Sequence, residues 1–164
     1  METKKSPCVE AQMRIRKPTH EVFEAFIDPE LTKHFWFTKG SGRLEAGKTV
    51  TWEWEMYGQS ATVAVKEIIP NKRISVEWGE PMTSEDGIGI TMIDFDFQEL
   101  SDRSTYVVIT NYGFAKSGEE LLEDFKGLTG GFTTVLDGLK AFLEHNIDLN
   151  LIADKFPAEV LNQQ

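Results

Sequence analysis

Apolar and polar residues alternate through the middle of the chain. In Thr51-Trp52-Glu53-Trp54-Glu55-Met56-Tyr57-Gly58 two indoles stand two residues apart, each followed by an acid. Successive side chains of a strand point to opposite faces. Val50, Trp52, Trp54 and Met56 are therefore expected on one face, and Glu53 and Glu55 on the other. The same period runs through Ala61, Val63 and Val65, through Ile74, Val76 and Trp78, and through Ile93, Phe95 and Phe97. Residues 9–16 read as an earlier strand. Residues 105–112 are rich in β-branched side chains and read as a later one, although periodicity alone leaves its inward face open. Gly58-Gln59, Pro70-Asn71-Lys72 and Ser101-Asp102-Arg103 supply turns, and residues 79–89 a longer loop.

The period changes to that of a helix in three places. Val22, Phe23 and Phe26 share one side of a short helix over 20–27. Asp28-Pro29 opens a second, with Asp as the cap and Pro in the first turn, and with Leu31, Phe35 and Trp36 as its buried side. Gly40, Gly42 and Gly47 break the chain after it. From Ser117 an apolar stripe continues through Phe125, Phe132, Leu136 and Leu139 to His145, a helix of roughly seven to eight turns. Ser117 with Glu120 three residues on predicts a capping box. Gly127, Gly130 and Gly131 lie inside this helix, each costing about 1 kcal/mol relative to Ala. Close packing on the sheet, or a break in the helix, is expected to explain them better than room for a ligand.

The fold class is therefore α+β. A curved antiparallel sheet of about six or seven strands, with two short helices, lays its apolar face against one long C-terminal helix. The chain reads as one domain over 1–164, with a core at about 9–145 and a tail, 146–164, that docks back. A helix gripped by a curved sheet leaves a place for a pocket between them. The alternation nominates Trp52, Trp54, Val65, Trp78, Phe95, Phe97, Phe132 and Leu136 as its walls, with a filled core as the alternative. Continuing the alternation past Val65 turns Glu67 inward as a polar candidate. His34, beside the aromatic run 35–37, is another, set against the plainer reading of a surface histidine. Asp94 and Asp96, like Glu53 and Glu55, alternate with large apolar residues and are expected on the wet face.

Composition narrows the chemistry. The formal net charge of −10 argues against nucleic acid and anionic membrane as partners. A single cysteine, Cys8, excludes an internal disulfide framework. With only three histidines, widely spaced, no metal site is expected, and no cofactor motif is present. No stretch approaches the ~20 apolar residues of a membrane span, and the opening residues do not read as a signal peptide. Membrane insertion is not expected, and the cytoplasm is the expected location.

Several segments together resemble a known family. They are the run 18–26 with Asp28-Pro29-Glu30-Leu31 and Phe35-Trp36-Phe37, the run 65–74 followed by Glu77-Trp78, Asn111-Tyr112-Gly113-Phe114, and Gly130-Gly131-Phe132 through 139–144. The chain, over roughly 9–157, resembles the START or SRPBCC superfamily of helix-grip (Bet v-like) proteins. Within it, the chain is similar to bacterial proteins of the family of activators of the ninety-kilodalton heat-shock protein's ATPase. The resemblance implies the helix-grip fold and places Asn111 inward, in line with Val107 and Ile109. It implies a hydrophobic small molecule as partner. A polyketide-cyclase-like or hydrolytic enzyme using His34, Glu67 or Asn111 is one alternative, and a co-chaperone-type interaction module with a chaperone partner another. The sequence assigns no catalytic residue, and it leaves a homodimer open.

Overall fold

The computed structural model describes residues 7–79 and 89–162. Seven antiparallel strands form one sheet: β1 (Cys8–Ile15), β2 (Lys39–Gly40), β3 (Thr49–Trp54), β4 (Gln59–Ile69), β5 (Arg73–Gly79), β6 (Thr91–Glu99) and β7 (Thr105–Tyr112), ordered β1-β7-β6-β5-β4-β3-β2. Between β1 and β2 the chain forms α1 (Thr19–Ile27) and α2 (Pro29–Thr32). The long helix α3 (Gly118–His145) follows β7, and α4 (Leu151–Lys155) and α5 (Ala158–Leu161) close the chain. This is the α+β helix-grip arrangement that the alternation predicts.

Local chemistry sets most of the boundaries. Asp28 caps α2 by accepting the Glu30 N–H at 2.9 Å, with Pro29 in the first turn. Asn71 takes a positive φ of 62° in the β4–β5 turn, a conformation that Asn tolerates. Along β7, Thr105, Val107, Ile109 and Asn111 are buried, which settles the face that periodicity left open. The core joins this face to Ile15, Val22, Phe26, Phe95, Val135, Leu136 and Leu139.

The structure corrects several expectations. The alternation of β3 stops at Trp54. Residues Glu55–Tyr57 turn into a 3-10 helix, and Met56 is 38% exposed rather than buried. Glu67 does not point inward. Val65 pairs with Val76, but Glu67 pairs with Ser75, so Lys66 is the extra residue of a β-bulge. One added residue reverses which face each later side chain takes. Glu67 is exposed on the solvent face, and Ile68 takes the inward place opposite Ile74. Asp94 is on the outer face, as expected, but is only 1% exposed, because Ser75 Oγ (2.8 Å) and the Tyr112 hydroxyl (3.2 Å) both donate to its Oδ1. Asp96 accepts from Arg73 Nε at 2.7 Å. Ser117 precedes α3 but makes no capping hydrogen bond through its side chain. Residues 80–88 of the expected long loop lie outside the described residues.

The three helical glycines also depart from expectation. The helix runs unbroken through them. A Cβ built on Gly127 or Gly131 would meet nothing within 4 Å, and one on Gly130 only the mobile end of Lys155 at 3.0 Å. The closely packed glycine of α3 is Gly138, where a Cβ would stand 3.2 Å from Phe35 Cβ.

Candidate functional site

The interior between sheet and helix is organised around Trp36. Thr32 ends α2 with its hydroxyl on the carbonyls of Ala25 (2.6 Å) and Asp28 (3.0 Å). The next turn is held by the Phe35 and Trp36 N–H groups, both donating to the Thr32 carbonyl. Beyond it, the Thr38 N–H and hydroxyl both donate to the Glu53 carbonyl at 2.9 Å. Pinned at both ends, Phe35-Trp36-Phe37 dips into the interior, and all three rings are buried.

Trp36 then meets nearly every aromatic residue that the alternation turned inward. Its ring centroid is 4.9 Å from Trp52, 6.4 Å from Trp54, 6.1 Å from Trp78, 5.9 Å from Phe95 and 6.1 Å from Phe132. Phe37 stacks on Trp52 at 5.0 Å. Trp36 thus fills the space between the β3 indoles and Phe132. The sequence reading had Trp36 on the buried side of α2 but not at the site. Its place in an aromatic triplet directly after a helix end was the available signal.

Of the nominated walls, Trp52, Val65, Phe95, Phe97, Phe132 and Leu136 are buried in the closed core. Trp54 and Trp78 are half-buried, 6.4 Å apart, and Trp78 lies 6.0 Å from Phe132. In the first half of α3, Leu121, Phe125 and Leu128 are all half-buried. Phe125 meets Phe114 edge-on at 5.0 Å.

A short polar chain threads these apolar groups. Trp78 Nε1 donates to Thr91 Oγ1 at 3.1 Å, and Asn111 Nδ2 donates to the same oxygen at 2.9 Å and to the Met92 carbonyl at 2.8 Å. Asn111 is therefore inward, as the resemblance implied. Its Oδ1 is buried with no hydrogen-bond partner. Just before α3, Lys116 Nζ stands 3.3 Å from Asp124 Oδ2, with only 10% and 16% of the two side chains exposed, yet that oxygen too is buried without a hydrogen-bond partner. Asp124 shares the inward stripe with Leu121 and Leu128, and sequence reading missed it because a charge on that stripe looks like an interruption.

His34 lies elsewhere. It stacks on Phe142 at 4.6 Å, with Nδ1 3.4 Å from Asp148 Oδ2. It lines a surface cleft of about 50 Å³ with Thr38, Met56 and the tail residues 148–153, a volume with room for waters rather than a drug-sized ligand. The structure thus gathers Asn111 with the tryptophans but leaves His34 at this cleft and Glu67 on the far face of the sheet. Among the described residues no group of three or more His, Cys, Asp or Glu side chains could hold a metal ion. No helix among them is long and apolar enough to cross a membrane.

A curved seven-stranded sheet gripping one long helix around an aromatic interior defines a helix-grip protein of the START/SRPBCC type. The family described as Activator of Hsp90 ATPase homolog 1-like protein matches residues 16–144, and the chain belongs to it. Among solved structures, protein SSP2350 of Staphylococcus saprophyticus is 27% identical with a TM-score of 0.71, over 87% of this chain and 95% of that one. The Aha1 dimer of Colwellia psychrerythraea is 20% identical with a TM-score of 0.69, over 84% of this chain and 96% of that one. DynU16, from the dynemicin biosynthetic locus, is 16% identical with a TM-score of 0.73, over 89% of this chain and 49% of that one. No curated protein matches the chain.

Proposed function

We propose that the protein binds a hydrophobic small molecule between the open edge of the aromatic interior and the first half of α3. The observation that carries this reading is that Trp54 and Trp78 on the sheet, and Phe125 and Leu128 on the helix, are only partly buried where they pack against the core. Gly131 lies on the edge of the same helical stripe, where a Cβ would meet open space. Trp54, Trp78 and Phe132 are the walls in this reading, and Trp36 the floor. Trp52, Val65, Phe95, Phe97 and Leu136 support those walls from the packed core. Burial of a ligand's apolar surface at about 25 cal/mol per Å² supplies affinity without a cofactor.

The test is a thermal-shift screen of neutral polycyclic and lipid-like compounds, repeated on Gly131→Phe. A ligand at a hundredfold excess over its Kd stabilises the fold by about 2.7 kcal/mol. In a chain of this size that raises Tm by roughly 5–10 °C. Gly131→Phe, which fills the open space, should abolish the shift while folding normally. A library without one hit on the wild-type protein rules the reading out. Hits of equal strength on Gly131→Phe rule out the location.

A further inference from the structure

Asn111 holds an acceptor that the fold leaves without a donor. The residue is 0% exposed. Nδ2 places its two hydrogens on Thr91 Oγ1 and the Met92 carbonyl. Those bonds fix the orientation of the amide, because turning it over would set Oδ1 against the Met92 carbonyl. Oδ1 has no partner among the described residues. Buried polar atoms without partners are few in folded proteins, and each calls for an explanation.

Its surroundings suggest one. Asn111 is on the helix-facing side of the sheet, in line with Val107 and Ile109. Through Thr91 Oγ1 it is joined to Trp78, one of the partly buried walls. Lys116, five residues on in the chain, stands 3.3 Å from Asp124 Oδ2, an ion pair that leaves that oxygen without a hydrogen bond. The buried polar atoms left without a hydrogen bond among the described residues are both acceptors, the neutral Asn111 Oδ1 and the carboxylate Oδ2 of Asp124. A carboxylate has no hydrogen to give to either acceptor. An ether sets its lone pairs against the carbonyl oxygen. A hydroxyl or an N–H completes the bond.

Resting on the binding reading above, we propose that the ligand is an apolar molecule carrying a neutral hydrogen-bond donor, a phenol or alcohol rather than a fatty acid, and that the donor bonds Asn111 Oδ1.

Calorimetric titration of the wild-type protein with β-naphthol, its methyl ether and β-naphthoate tests this without any variant. β-Naphthol should bind about tenfold to a hundredfold more tightly than the ether, with the naphthoate weakest. In Asn111→Leu, which keeps the volume but loses the acceptor, the naphthol and the ether should become equal. An ether or naphthoate that binds the wild-type protein as tightly as the naphthol overturns the donor preference and leaves the binding reading standing; an internal water would then be the partner of Oδ1. Silence from all three compounds overturns both.

Discussion

The two halves of α3 share one helical period but not one environment. In the second half, Val135, Leu136 and Leu139 are buried, and Gly138 lets the helix come down on the backbone of Phe35. In the first half, Leu122 is 66% exposed, and Leu121, Phe125 and Leu128 are only half-covered. The cause is on the opposing layer. The segment Phe35-Trp36-Phe37 rises beneath the second half and fills it, whereas the first half meets Phe114 through Phe125 at 5.0 Å and its Phe125 and Leu128 pack only partly buried against the core. The stripe on a helix therefore says which side faces inward. Whether anything fills the space opposite depends on a segment distant in sequence.

The sharpest way to break this contrast is to remove the same side chain from each half. Leu139→Ala leaves a hole where Leu139 is 0% exposed and should cost about 2–5 kcal/mol. Leu122→Ala should stay within about 0.5 kcal/mol of the parent. Urea denaturation midpoints decide it. Comparable losses from the two substitutions would mean that the first half is packed as firmly as the second.

The glycines give a smaller test of opposite sign in each half. Gly131→Ala gains helix propensity and meets nothing, so it should stabilise by about 0.5–1 kcal/mol. Gly138→Ala gains the same propensity. It must also force its Cβ against Phe35 Cβ at 3.2 Å and Phe35 O at 3.4 Å. Overpacking of that kind costs about 1–3 kcal/mol. The net for Gly138→Ala should be a loss, or no gain, in the same denaturation assay. A stabilising Gly138→Ala would show that Phe35 yields freely and that the helix is not held there.

The difference between the halves also marks where sequence reading worked and where it stopped. Sheet, helix and element order were legible because each rests on a local period: two in Trp52-Glu53-Trp54, and 3.6 in the stripe from Phe125 to Leu139. Glu67 was misplaced because a bulge at Lys66 breaks the period without altering composition, and only the partner strand's register reveals it. Met56 was misplaced because the strand ends in a 3-10 turn with no Gly or Pro before it. Asp94 read as solvated because a single strand cannot show that Ser75 and Tyr112, on its two neighbours, cover it. Most of the site was nameable as inward-facing. The position of Trp36 at its centre, and the missing partner of Asn111, depend on contacts between residues tens of positions apart.

The smallest expected effect concerns how the packed half of α3 is tied down. Glu144, in its last turn, accepts the Arg16 N–H at 2.9 Å and Lys140 Nζ at 2.6 Å, and Lys140 also donates to the Arg14 carbonyl. Burial pushes the Glu144 carboxyl up, but the Arg16 N–H and the hydrogen bond and charge of Lys140 together outweigh it and hold the group below its ordinary value of 4.5. A carboxyl depressed on folding stabilises the native state in full above its unfolded value. That contribution fades as pH falls through the lower, folded value, because the folded protein must then take up the proton that the unfolded chain already holds. Glu144→Gln keeps an acceptor but loses the charge. It should therefore be slightly less stable than the parent at neutral pH, and the gap should close as pH drops well below 4.5. Urea midpoints of both proteins across that range measure it. A gap unchanged with pH would mean that the carboxylate's charge does not help hold the helix to β1, and that the firmness of the second half comes from apolar packing alone.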